Sequence, residues 1–299
     1  MKNTLLMILA GLILGVLAGP EKTFGDDGSW TILIAPESVD TLAYDIDGSN
    51  VVGYYSRFSN DYHGFLFNGT TWTTLDAPGA VYTEAWGIEG KNIVGRYSDA
   101  SRGHGFLYDG SAWTTLDAPG ADRTEAYDIY GSIIVGSYDD TYGTHGFLYE
   151  GTSWTTINKP GAYRTNAYGI DGVNIVGSFA DDSGAHGFLY DGSTWTTLDM
   201  PGAGGTNAYG IDGSNIVGYY EDIYGGAHGF LFNGTTWTTL DAAAETYAYG
   251  IDGSSIVGST DTWIESSLGF IYTIPEPATF ILFGFGLVSI ICRKNHKHG

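Results

Sequence analysis

The dipeptide Gly-Phe recurs at Gly64, Gly105, Gly146, Gly187, Gly229 and Gly269, separated by 41, 41, 41, 42 and 40 residues. A period this regular constrains the fold more than any single motif, because each unit must bury its apolar face against its neighbours. Two further landmarks keep the same period. One is Ala-Tyr-Gly-Ile at Ala167 and Ala208, with copies or variants at Ala43, Ala85, Ala126 and Ala248. The other is Ile-Val-Gly, ending at Gly95, Gly136, Gly177, Gly218 and Gly258, with Val51-Val52-Gly53 in the first unit. A Trp-Thr-Thr segment ending in Leu or Ile follows the first five Gly-Phe strands across a short turn, as in His186 to Leu198, where Asp191-Gly192 reads as a two-residue hairpin turn. The unit therefore holds four short strands rich in β-formers and no helical period.

Four strands in about 40 residues is the size of a propeller blade. The Trp strand occurs at Trp72, Trp113, Trp154, Trp195 and Trp237, and no copy follows Tyr272. The missing copy is Trp30 to Ile34, ahead of the first unit. The sequence thus predicts an all-β, six-bladed propeller over residues 30–273, closed by its N-terminal strand, with no open edge left to aggregate. An open solenoid of the same units would leave the displaced first strand unexplained. In such a ring Ala-Tyr-Gly-Ile is the innermost strand and the Trp strand the outermost. Tight Asp-Gly and Asn-Gly turns then share one face. The Asp-Ala-Pro-Gly-Ala crossovers and the loops after Ile-Val-Gly share the other, which is where a ligand site is expected.

Around this body lie two further segments. Residues 1–18 have Lys2, an apolar run from Leu5 to Leu17 and small residues near Ala18, the pattern of a cleaved signal peptide. A polar leader fills 19–29. The segment 274–299 holds Pro275-Glu276-Pro277, an apolar stretch over 278–292 that reads as a hydrophobic transmembrane helix, and a basic tail with Arg293, Lys294 and Lys297. All 34 acidic residues lie between 19 and 277, with only 8 of the 12 Lys and Arg. That charge opposes nucleic acid and anionic surfaces. The single cysteine, Cys292, lies outside the repeats, so the propeller has no disulfide.

Candidate sites follow from asymmetry among the units. A residue repeated at the same place in unit after unit, such as the histidines at 63, 104, 145, 186 and 228 in five of the six, reads as structural. At the start of the inner strand, however, the units differ: Glu84, Glu125, Asn166 and Asn207 form a possible ligand face. After Ile-Val-Gly come Asp139, Asp140, Asp181, Asp182, Glu221 and Asp222, hard oxygen donors that suit Ca²⁺ if they converge and a solvated acidic rim if they do not. Tyr82, Tyr142, Tyr163 and Tyr224 are expected in loops of the same face, and aromatic rings beside carboxylates bind sugars. No nucleophile elbow, phosphate loop or His-Glu-x-x-His motif is present.

The Pro-Glu-Pro, apolar stretch and basic tail together resemble a PEP-CTERM sorting signal. The resemblance implies a Gram-negative bacterium and recognition of Pro275, Glu276 and Pro277 by an exosortase that removes the tail. The repeats resemble those of HAF-repeat extracellular proteins, with His-Gly-Phe in place of His-Ala-Phe. The expected function is that of an exported, non-enzymatic surface or matrix protein, a binding or structural propeller in the cell envelope or exopolysaccharide, with exopolysaccharide or an envelope protein as its partner. A Ca²⁺-dependent lectin-like module and a carbohydrate-active enzyme are the alternatives.

Overall fold

The computed structural model describes residues 28–58, 61–242, 245–261 and 266–275. The expected signal peptide, most of the polar leader, Glu276, Pro277 and the expected C-terminal helix lie outside the described residues. The chain is an all-β β-propeller, with no helix among the described residues. Ser29–Leu33 (β1) comes first. Then follow Asp40–Asp47 (β2), Asn50–Ser56 (β3), Tyr62–Phe67 (β4) and Trp72–Leu75 (β5). The next unit is Tyr82–Glu89 (β6), Asn92–Ser98 (β7), Gly103–Tyr108 (β8) and Trp113–Leu116 (β9). After it come Arg123–Tyr130 (β10), Ile133–Asp140 (β11), Gly143–Glu150 (β12) and Ser153–Ile157 (β13). Arg164–Asp171 (β14), Asn174–Asp181 (β15), Gly184–Tyr190 (β16) and Trp195–Leu198 (β17) repeat the pattern. So do Gly205–Asp212 (β18), Asn215–Glu221 (β19), Ala227–Phe232 (β20) and Trp237–Leu240 (β21). Glu245–Asp252 (β22), Ser255–Asp261 (β23) and Ser267–Thr273 (β24) end the series.

Each unit is an antiparallel meander whose strands pair in chain order, as in β2-β3-β4-β5. Two units, β10–β13 and β14–β17, share one larger sheet through a single parallel pair, Thr144 with Arg164. The strand β1 pairs antiparallel with β24, from Ser29 opposite Thr273 to Leu33 opposite Gly269, and occupies the place that β5 has beside β4. The first strands of the units, β2, β6, β10, β14, β18 and β22, pack on one another in succession, and β2 also packs on β22. They are the axial strands.

The repeated residues are the blade cores. Phe65, Phe106, Phe147, Phe188, Phe230 and Phe270 are wholly buried. Each lies against the tryptophan of the outer strand, as Phe188 does on Trp195 at 4.8 Å between ring centroids. Burying a side chain of this size is worth roughly 1.5–3 kcal/mol. The glycine of Ile-Val-Gly is needed for close approach: a Cβ at Gly177 would stand 1.9 Å from the Asn166 carbonyl oxygen and 2.8 Å from the Phe188 ring.

The outer turn differs from expectation. Tyr190 pairs with Trp195, so four residues connect the strands rather than two. The Asp191 carboxylate accepts hydrogen bonds from the amides of Ser193 (2.9 Å) and Thr194 (2.7 Å), and Gly192 takes φ +88°. The side chain supplies the acceptor that a tighter hairpin would have taken from the backbone. Asn68, Asp109 and Asn233 do the same in their units.

Candidate functional site

The two ends of the axis differ. At the tight-turn end, the last acidic residue of one axial strand caps the turn of the next unit. Asp47 accepts from the Gly90 amide at 2.6 Å, and Glu89 from Gly131 at 2.6 Å. Asp171 serves Gly213, Asp212 serves Gly253 and Asp252 serves Gly48, at 2.7–2.8 Å. Tyr130 stands at the equivalent position in β10 and offers no carboxylate. Inside this rim, isoleucines from the axial strands wall a cavity of ≈ 160 Å³. Asp45 and Asp128 stand at its floor, where Gly87, Gly169, Gly210 and Gly250 occupy the matching positions. Each carboxylate bonds the next unit's backbone: Asp45 to the Ile88 amide and Asp128 to the Ile170 amide, both at 2.8 Å. Burial raises both carboxyls above their ordinary range, and Coulombic repulsion from Asp128 adds to the shift at Asp45.

Above the acid pair the axis is filled by aromatic rings in sequence. Tyr44 lies 6.0 Å from Trp86, Trp86 4.8 Å from Tyr127, and Tyr127 4.9 Å from Tyr168. Tyr168 lies 4.2 Å from Tyr209, Tyr209 5.1 Å from Tyr249, and Tyr249 4.5 Å from Tyr44. Stacked and edge-on rings at such spacings are mutually favourable. A cavity of only ≈ 20 Å³ remains among them, so they plug the axis.

At the loop end, the structure brings two of the four expected ligand-face residues together. Glu84 and Glu125 occupy equivalent places on β6 and β10, and Arg96 on β7 joins them. Its guanidinium bonds Glu84 Oε1 at 2.9 Å and Glu125 Oε1 at 2.6 Å, and lies over the Trp86 ring at 5.0 Å. The Tyr127 hydroxyl donates to Glu125 Oε2 at 2.6 Å, and Arg123 bridges from Glu125 to Asp139. Glu84 and Glu125 are 4% and 6% exposed. Burial holds the Glu84 carboxyl above its usual value despite Arg96. Burial also works against the charge of Arg96, but the two glutamates outweigh it and raise its pKa. Asn166 is buried and Asn207 half-buried at the same level of β14 and β18, and neither joins this cluster.

The six carboxylates considered for Ca²⁺ lie on three separate hairpins. Asp139 accepts from Arg123 and Thr144, and Asp140 from the Tyr142 amide at 2.7 Å. Asp181 holds the Ser183 amide at 2.8 Å, and Asp222 those of Tyr224 and Gly226 at 2.7 and 3.0 Å. Asp182 is exposed, and Glu221 ends β19 facing solvent. Among the described residues, no group of three or more His, Cys, Asp or Glu is placed to hold a metal ion. The repeated histidines are clamps. His228 Nδ1 meets Asp241 at 2.9 Å on the crossover, while Nε2 meets Asp222 at 3.3 Å on the hairpin tip. His63, His104 and His186 are also set between two carboxylates. His145 has Asn158 on one side instead. Burial disfavours the His228 imidazolium, but its two aspartates outweigh this and raise its pKa.

Large apolar side chains are exposed on the same face. Tyr142 and Tyr224 are 88% and 89% exposed at hairpin tips, Ile223 is exposed beside Tyr224, and Tyr163 is exposed on a crossover. The residues that sequence reasoning missed are Arg96, Asp45 and Asp128. Their signals were present: Arg96 follows Ile-Val-Gly where other units have Tyr or Ser, and the two aspartates replace the glycine of Ala-Tyr-Gly-Ile.

Comparison with known proteins adds two findings. A family model for the PEP-CTERM protein-sorting motif matches residues 273–295. The chain carries a PEP-CTERM sorting motif. The motif marks an exported protein sorted via the membrane of a Gram-negative bacterium and implies processing by an exosortase. No curated protein matches the chain in sequence. Among solved structures, the chain is similar to SapL1 lectin in complex with alpha methyl fucoside, with a TM-score of 0.53 and 16% identity over 80% of this chain and 98% of that one. A mutant of AofleA from Arthrobotrys oligospora gives a TM-score of 0.53 and 14% identity, over 84% and 88% of the two chains. Trypanosoma rangeli sialidase gives 0.50 and 11%, over 83% and 60%. At these identities the likeness concerns the fold, which hosts both binding proteins and enzymes. No helix among the described residues is long and apolar enough to cross a membrane, and the apolar stretch 278–292 lies outside them.

Proposed function

We propose that this is an exported, non-enzymatic propeller of six blades, closed by β1, that binds carbohydrate of the cell envelope or exopolysaccharide through its loop-bearing face. The observation that carries the reading is the contrast between the faces. The turn face is tied down by carboxylate-to-amide bonds from unit to unit. The loop face raises Tyr142, Tyr163 and Tyr224 into solvent, close to carboxylates fixed by their own loops. Aromatic rings offer a flat apolar surface to a sugar ring, and fixed carboxylates accept hydrogen bonds from its hydroxyls without further ordering cost. The similarity of the fold to SapL1 lectin, whose structure holds alpha methyl fucoside, supports the same class of ligand. Closure by β1 is supported by its pairing with β24 and by the return of the axial contacts from β22 to β2.

The test is co-sedimentation of residues 19–277 with the host's purified exopolysaccharide, with Ca²⁺ and with chelator. Binding that falls at least tenfold in a Tyr142→Ala, Tyr163→Ala, Tyr224→Ala triple variant supports the loop face. Binding lost in chelator shows that it needs a metal ion. Absence of binding in both conditions rejects the carbohydrate reading and leaves an envelope protein as the partner.

A further inference from the structure

The geometry points to the turn face as the membrane-facing surface of the unprocessed protein, with the loop face presented outward. This rests on the sorting reading above, in which the apolar run 278–292 sits in the membrane.

The sorting motif begins inside the folded blade. Its first residue, Thr273, is the last of β24 and pairs with both Ser255 and Ser29. The next, Ile274, packs on the core of the last blade, and its amide donates to the Ser254 carbonyl at 2.7 Å. Ser254 belongs to the tight turn between β22 and β23. The chain therefore leaves the propeller at the turn face. It enters there too, because Ser29 lies opposite Thr273.

Between Ile274 and the apolar run stand three residues, Pro275 to Pro277. Fully extended, three residues reach about 10 Å, and the two prolines fix their own φ and restrict their neighbours. The axial strand β2 has 8 residues. A strand of that length separates the two faces by about 25 Å. To lay the loop face on the bilayer, the tether would have to run the height of the blade, roughly 25 Å or eight residues. The connection is too short by more than half. The turn face is thus the one a membrane-embedded sorting enzyme meets, and the aromatic tips at Tyr142 and Tyr224 point away from the membrane into the space where polysaccharide lies.

The orientation is read by fluorescence quenching. The unprocessed chain, tail retained, is placed in phosphatidylcholine vesicles containing a headgroup-labelled nitroxide lipid. A single fluorophore is attached at Ser214→Cys on the turn face or at Tyr224→Cys on the loop face, each with Cys292→Ser. Flotation is measured first. The expected result is several-fold stronger quenching at position 214 than at 224. Equal quenching, or stronger quenching at 224, overturns the orientation while leaving the sorting reading intact. A chain that does not float with the vesicles overturns the membrane insertion of the tail, and the orientation with it. Inserting about twelve Gly and Ser residues between Ile274 and Pro275 gives a flexible span of roughly 20 Å. It should erase the difference between the two positions; a difference that persists shows that the short tether is not what orients the molecule.

Discussion

The carboxylate of Asp252 accepts a hydrogen bond at 2.7 Å from the amide of Gly48, 204 residues away. It is the same bond that Asp47 makes to Gly90 and Asp212 makes to Gly253. A local sequence habit, an acid before the turn glycine, thereby becomes a link between the last unit and the first. Asp252→Ala removes that link and leaves one charged acceptor fewer for an amide at the rim. The expected loss is about 1 kcal/mol, seen as a lower denaturation midpoint in urea. An unchanged midpoint would show that water replaces the carboxylate at no cost.

The axial acid pair sets a pH dependence of unusual sign. Asp45 and Asp128 both have raised pKa values in the folded state. The folded protein therefore holds these protons more tightly than the unfolded chain, and stability from this source is full below the ordinary carboxyl range. It declines as pH rises from there through the raised values. Asp45→Gly restores the residue found at Gly169, Gly210 and Gly250 and removes one of the two charges. The melting temperature of this variant, relative to the parent, should rise between pH 4.5 and pH 8. A constant difference across that range would mean the pair does not titrate as a buried pair.

Among the described residues, Arg96 is the one cation paired with Glu84, at 2.9 Å. Arg96→Met keeps much of the apolar stem over Trp86 and strands a carboxylate in a buried place. The cost is on the order of 3–5 kcal/mol. Adding Glu84→Gln and Glu125→Gln should recover most of it, because the desolvated charges are then gone. Failure of that rescue in thermal melts would mean that Arg96 acts through packing on Tyr82 and Trp86 and not through charge.

Gly177 tests the close approach within the blade. Its missing Cβ makes room for the Asn166 carbonyl. Gly177→Ala forces β14 and β15 apart and should cost about 1–3 kcal/mol, as overpacking of a filled core does. By contrast, Gly172→Ala meets no atom within 4 Å, but its φ of +62° makes an alanine strained. Both variants should lower the urea midpoint, and only the first should disturb the near-ultraviolet signal of the core aromatics.

Much of this was legible in the residues themselves. The 41-residue period, the four strands per unit and the pairing partner required by the displaced Trp30 strand could all be read by counting, and Trp30 does lie on Phe270 and Tyr272. The same holds for the buried phenylalanines, since every unit repeats the same apolar alternation. The outer turn was misread as two residues because Asp-Gly signals a tight hairpin. Only the folded chain has the Asp191 carboxylate drawing Ser193 and Thr194 into the loop.

The candidate site was half legible. Glu84 and Glu125 stood out because they break the repeat, but 41 residues separate them, and nothing in their own unit names Arg96 as the group between them. Asp45 and Asp128 are two units apart and meet only at the axis. The sequence by itself determined the strands, their order and the blade cores, because these depend on alternation and spacing within about 40 residues. The tertiary structure alone decided which charges face one another. Those contacts arise when separate units are brought around a common axis, and burial there, not local sequence, sets whether a carboxyl is paired with an arginine or left to share its space with another acid.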